Sequence, residues 1–192
     1  MSPTLPRLQR MLQNLANAAR ARGLELHPDK TKIISNVTRK RGRSCAKHVE
    51  VLDRRIAVWP FSASVKYLGR KITFDCCHPT EVSNRIACAW RSFVALRDEL
   101  TKKHYSLSQR LRLFDMTVSA TMLYGSAAWT LTTELEAQIR RTRRKMLRMI
   151  LRYPRRVCDR TRDGVILEPW VDWIQRTTHA AEERMTNLSM TG

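Results

Sequence analysis

Leu8, Leu12, Leu15 and Ala19 recur at steps of three and four, the repeat of a helix with one apolar face. Gly23 follows where a C-cap belongs, so one helix is expected from Leu5 to Ala21, closing at Gly23. The repeat then shortens. Thr31 to Val37 is rich in β-branched residues and reads as a strand, while "RKRGRSCAK", Arg39 to Lys47, follows neither period and reads as an exposed, basic hairpin tip. Val49 to Val58 and Val65 to Phe74 are expected as further short strands, with Pro60 at the break and Gly69 marking a bulge or a close backbone approach.

Beyond Pro79 the pattern returns to helix. Val82, Ile86, Trp90, Phe93 and Leu96 form one apolar stripe, and Leu107, Leu111, Phe114, Val118 and Met122 form a second, both facing a shared core. A third helix, Leu131 to Leu151, places Leu135, Ile139, Met146 and Ile150 inside, and Arg140, Arg141, Arg143, Arg144, Lys145 and Arg148 over the remaining surface. "YPRR" at Tyr153 ends it, a polar segment follows, and a last helix starts with Pro169 near its first turn. The fold class is therefore α+β: a small antiparallel β-hairpin sheet with one helix, followed by an α-helical bundle. Three segments are expected, 1–78, 79–152 and 153–192. The aromatic residues Trp90, Phe93, Phe114, Tyr124 and Trp129 fall on apolar faces and are expected in the core, not stacked on bases.

Charge changes the picture. With 36 Lys+Arg against 17 Asp+Glu the chain carries about +19 at neutral pH, and a polyanionic partner is the usual reason to tolerate such self-repulsion. Nucleic acid (RNA, DNA or a hybrid of the two) comes first as that partner and a membrane surface second. Between Ala137 and Arg162 there are eleven Lys/Arg and one acid, Asp159, so a helix there could neutralise several phosphates. Arg39, Lys40, Arg41 and Arg43 fit either a phosphate contact or a nuclear-import patch. The N-terminus carries Arg7 and Arg10 and no apolar core segment of a secretory signal, and the uncharged run Met116 to Thr133 is interrupted by Ser, Thr and Gly. That run is expected to be a buried helix end, with no membrane insertion. Five cysteines, an odd number, argue for free thiols in a reducing nucleus or cytoplasm.

The order of the pieces resembles a known family. A helix, "GLELHPDKTKIIS" at Gly23 to Ser35, a basic hairpin, "VKYLGRKI", and helices containing "MLYGSAAW" and "RRTRRKMLRMIL" are similar to the C-terminal part of a non-LTR (LINE-type) retrotransposon reverse transcriptase. The likeness runs over roughly residues 5–152 and rests on the ordered set, since no single motif is specific. It implies the end of a palm, then a thumb and a connection. By that resemblance Lys30, placed before Thr31, matches a palm lysine that would help expel pyrophosphate as a proton donor; a solvated loop lysine is the alternative, and Lys32 reads as surface charge. Tyr67, Leu68 and Gly69 match the primer grip, where Gly69 would let a strand end approach; the alternative is a Tyr-Leu pair packing a hairpin.

Polymerases of this family use two Mg²⁺ ions held by paired palm aspartates. No such pair occurs here: Asp98-Glu99 and Glu182-Glu183 lie in helical patterns where neighbouring side chains diverge by about 100°. In the family the aspartate hairpin precedes the helix that begins near Leu5, so this chain alone is expected to bind no cofactor, to make no DNA, and to need a separate catalytic half. Cys45 and His48 with Cys76, Cys77 and His78 offer zinc ligands but lack the usual spacing, so no metal site is assigned. "PDKTK" lacks the second carboxylate of a nuclease, and no Cys–His pair points to nucleophilic catalysis. The rival is a stand-alone basic nucleic-acid-binding or chromatin-associated protein of unrelated origin.

Overall fold

A computed structural model describes residues 5–27, 29–36, 48–51, 54–161 and 164–190. It is α+β and divides into two compact units, Met1–Cys77 and His78–Gly192.

In the first unit, helix α1 (Leu5–Arg20) closes at Gly23. Gly23 has φ +75°, the Leu24 N–H reaches the Ala19 carbonyl at 3.0 Å, and the Gly23 N–H reaches that of Arg20 at 3.1 Å. This is a Schellman closure, which needs a left-handed residue at the glycine. Strand β1 (Ile33–Ile34) runs parallel to β3 (Arg54–Trp59), which pairs antiparallel with β2 (His48–Val51). Val49 and Val51 alternate with exposed His48 and Glu50, and they join Ile56, Ile33 and Ala16 of α1 in one buried cluster. Burying one face of a strand fixes its register, because a slip of one residue would turn both valines outward.

The span Val49 to Val58, expected as one strand, is instead the β2–β3 hairpin, with Val51 opposite Arg54. The reversal occurs without a Gly or Asn to announce it. Likewise Val65 to Phe74 holds a hairpin, β4 (Val65–Tyr67) and β5 (Arg70–Ile72), and Gly69 is its turn, not a bulge. Phe61 and Phe74 stack with ring centroids 6.2 Å apart.

The second unit is helical. It contains α2 (Cys77–Ala95), α3 (Arg97–Thr101), α4 (Leu107–Phe114), a π-helical turn (Asp115–Ser119), α5 (Ala120–Met122) and a 3₁₀ turn (Ser126–Ala128). It continues with α6 (Thr133–Leu151), strands β6 (Val157–Thr161) and β7 (Gly164–Leu167), and α7 (Trp170–Met190). Both expected stripes reach one core, in which Phe93, Leu111, Phe114 and Val118 meet Met146, Leu147 and Ile150 of α6 and Ala181 of α7. Two helix starts are capped by side chains. Ser106 and Gln109 form a capping box on α4, and the Thr132 hydroxyl accepts the Leu135 N–H at the head of α6. Arg110 is buried, with Nη1 donating to the Ile150 carbonyl at 2.9 Å and to that of Leu100 at 3.4 Å. One guanidinium therefore satisfies backbone acceptors near the ends of both α3 and α6, where helices leave carbonyls without intrahelical partners.

Two sequence expectations fail here. The segment after Tyr153, expected to be merely polar, is the antiparallel β6–β7 hairpin. Its signal was Asp163-Gly164 between two β-prone runs, obscured by the arginines. Tyr124, expected in the core, is 52 % exposed. Gly125 at φ +73° ends the preceding helix and leaves the ring outside, with the Arg85 guanidinium 4.7 Å from its centroid. No helix among the described residues is long and apolar enough to cross a membrane.

Candidate nucleic-acid interface

Helix α6 is amphipathic, and beyond its first turn the apolar stripe is opposed by arginines and a lysine with no acid among them. Glu134 and Glu136 occupy its first turn and Arg148 its last, which suits the helix dipole at both ends. Its cations do not all face solvent. Arg144 Nε donates to Glu182 Oε1 at 2.7 Å, and Arg148 Nη1 to the Thr178 hydroxyl at 2.9 Å, so both join α6 to α7. Desolvation of Arg148, helped by the like charge of Arg144, pushes its pKa down. Arg143 leans toward Asp115 of the π-helical turn at 3.9 Å, and Lys145 lies 5.6 Å from the Trp90 ring centroid, exposed to solvent at its other side.

Arg140 and Arg141 remain on the exposed side. Arg140 pairs with Glu136 one turn back, and Arg141 Nε donates to the Ala137 carbonyl at 3.2 Å. Such i,i+4 contacts in water are worth only about 0.3–0.5 kcal/mol, so both guanidinium groups can trade them for phosphate oxygens. The six-residue patch read from sequence thus divides. Arg144 and Arg148 join α6 to α7 and Arg143 lies near Asp115, whereas Arg140, Arg141 and Lys145 face outward.

The remaining sequence-predicted residues are scattered. Arg39, Lys40, Arg41 and Arg43 lie outside the described residues, as does Cys45. Lys30 is exposed in the turn before β1, where Thr31 closes the loop through N–H and hydroxyl bonds to the His27 carbonyl at 3.0 and 2.8 Å. Lys32 sits 5.5 Å from the Trp59 ring centroid. Tyr67, Leu68 and Gly69 make the tip of the β4–β5 hairpin, with Leu68 at φ +46° and Gly69 at φ +78°. Positive φ at both central residues is the geometry that suits a two-residue hairpin and favours Asn-Gly; leucine in that position is strained.

The acidic pairs are engaged elsewhere. Asp98 is held by Lys102 at 2.8 Å, which lowers its pKa, and Glu182 is held by Arg144. Among the described residues no group of His, Cys, Asp and Glu could hold a metal ion, so those residues do not fit a magnesium site. Cys76, at φ +42°, donates its thiol to Asp75 Oδ1 at 3.3 Å, and that bond together with the carboxylate charge raises its pKa. His78 Nδ1 accepts the Thr130 N–H at 3.3 Å.

One constellation was missed by sequence reasoning. Arg176 grips buried Glu168 with both arms, Nε to Oε1 at 2.9 Å and Nη2 to Oε2 at 2.7 Å, while the Arg156 N–H adds a bond of 3.1 Å to Oε2. Hydrogen bonds from Arg176 outweigh the burial of Glu168 and pull its pKa down to about 2. Arg155 Nε donates to the Glu168 carbonyl at 2.7 Å, Arg176 also reaches the Pro154 carbonyl at 3.1 Å, and Trp173 Nε1–H reaches that of Tyr153 at 2.9 Å. The clamp fixes the foot of the β6–β7 hairpin to α7. The sequence signal was the pairing of "YPRR" with "EPW" on either side of the β6–β7 hairpin.

Fold and surface together describe an α+β protein with a basic helical unit whose described residues gather no metal ligands. The chain is 28% identical over 151 residues to an uncharacterized transposon-derived protein of Caenorhabditis elegans, an overlap that takes in 74% of this chain and 49% of that protein. The chain therefore spans about half the length of the curated relative it matches. No protein-family model matches it, and no solved structure matches it.

Proposed function

We propose that the chain is transposon-derived and is the C-terminal part of a non-LTR reverse transcriptase: the end of a palm, then a thumb and connection that hold a primer–template duplex by its phosphates. The observation that carries this is the outward face of α6, where Arg140, Arg141 and Lys145 stand exposed on a chain of net charge +19. The likeness to a transposon-derived protein and the ordered motifs from Gly23 to Leu151 support the same reading. In it the β4–β5 tip, Tyr67 to Gly69, is the place where a strand end comes close, and Lys30 stands at the palm. Nucleotide addition is not assigned to this chain alone, because the metal-binding carboxylates would have to come from a separate catalytic half. A nuclear or cytoplasmic location goes with this reading.

Phosphate contacts give affinity without sequence information, and each released counterion steepens the dependence on salt. Fluorescence anisotropy of labelled RNA/DNA hybrids of unrelated sequence should give affinities that fall steeply with salt and agree within a few-fold across sequences. Binding indifferent to salt, or confined to one sequence, would overturn the proposal.

A further inference from the structure

On the second unit, the foot of the β6–β7 hairpin and the first turn of α7 expose an aromatic surface that the duplex-binding face of α6 does not use. Trp170 is 58 % exposed. One side of its indole rests on Trp173, with centroids 4.7 Å apart and planes 32° from parallel. Trp173 is in turn held by its N–H bond to the Tyr153 carbonyl. The supporting ring is thus locked, and Trp170 is a flat aromatic plate buttressed from behind and bare in front. Val171 and Leu167 flank it, 61 % and 41 % exposed.

A bare apolar plate usually invites protein, but the charge around it selects another occupant. Arg155 Nε donates to the Glu168 carbonyl at 2.7 Å and exposed Arg156 bonds Glu168 Oε2 through its N–H at 3.1 Å, so two arginines stand beside the start of α7, and a second copy of a chain carrying +19 would be repelled. A buttressed indole set among cations suits a nucleobase whose phosphate lies against guanidinium groups. Inside a duplex the base faces are already stacked, so apart from the two terminal pairs only an unpaired strand can offer one.

We infer that Trp170 is a stacking platform for single-stranded nucleic acid, receiving an unpaired base while neighbouring arginines neutralise its backbone. This rests on the phosphate-binding reading above and adds a strand selectivity to it. Pairing by arginine is independent of base identity, and so is stacking, so the platform is indifferent to sequence but not to strandedness.

The test is anisotropy at fixed salt with the full chain and labelled strands about 16 nucleotides long, as single-stranded DNA, single-stranded RNA and a blunt hybrid duplex. Trp170→Ala should weaken binding of single strands by about 5- to 150-fold, the range for loss of one base–aromatic stack, while the duplex changes by less than about 2-fold. Trp170→Phe should restore most of the loss, which a merely structural role of the indole would not predict. The DNA and RNA arms decide which sugar is preferred. An unchanged single-strand affinity in Trp170→Ala, or equal losses on single strand and duplex, overturns the platform while the salt-dependent duplex binding stands. A wild-type chain that binds none of the three overturns the platform and the proposed function together. A variant altered only in self-association by sedimentation would assign the surface to protein and overturn the platform as well.

Discussion

Replacing both outward arginines of α6, Arg140→Ala with Arg141→Ala, should remove two phosphate contacts and leave the bundle intact. Each contact contributes about 0.9 to the slope of log affinity against log salt on B-form DNA, so the double variant should lose about 1.8 from that slope. Between 50 and 200 mM salt one such contact is worth a factor of about 3.5, so the variant's affinity should fall about 12-fold less than wild type over that range. The matched control is Arg144→Ala with Arg148→Ala, because Arg144 is engaged by Glu182 at 2.7 Å and Arg148 by Thr178 at 2.9 Å. The Arg144–Glu182 pair is more than a third exposed on both sides, so screening limits it to about 1 kcal/mol or less. That control should melt a few degrees lower, with a slope within about half a contact of wild type. Melting is followed by circular dichroism and affinity by anisotropy of a labelled DNA duplex. Equal slope changes in the two double variants, or none in the outward pair, would refute the claim that exposure selects the phosphate-contacting arginines.

Leu68→Asn should raise the melting temperature of the first unit, since Asn accepts the left-handed backbone that Leu68 holds at φ +46° and the gain is about 1 kcal/mol; an unchanged or lower value in a thermal scan would mean that the leucine side chain's own contacts outweigh its strain. Glu168 has its pKa lowered from 4.5 to about 2 by Arg176, so the clamp stabilises the fold fully above about pH 4.5 and loses that contribution as pH falls toward 2. Glu168→Gln should flatten the acid limb of the stability curve in that window, measured by denaturant midpoints, and parallel curves for the two proteins would count against the clamp.

Much of the helical framework was legible in the residue pattern. Gly23 announced the end of α1, both stripes behind Phe93 and Phe114 marked the core, and Pro169 marked the start of α7. These are local features, set by period and by single residues with special backbone preferences. The reversals were harder to see. Val51 opposite Arg54 leaves only Leu52-Asp53 between the strands, a weaker hairpin signal than Asn-Gly or Asp-Gly, and the Arg-rich β6–β7 ribbon carries exposed valine and isoleucine that resemble no buried strand. For the candidate interface, periodicity located the arginines of α6 on its polar side but could not distinguish Arg140 from Arg144. That distinction depends on Glu182, placed by the packing of α7, a tertiary fact with no trace in the local pattern.

Arg110 has a consequence for how the second unit meets a ligand. Its guanidinium is tied to the carbonyls of Leu100 and Ile150, so α6 cannot spin about its own axis without tearing a buried bond. A helix turning by one residue would swing its side chains by about 100°. With the Arg144 and Arg148 bonds to α7, this buried bolt keeps Arg140 and Arg141 aimed in a constant direction, and cutting Arg110 back to alanine would leave the Ile150 carbonyl buried without that donor and let the aim wander.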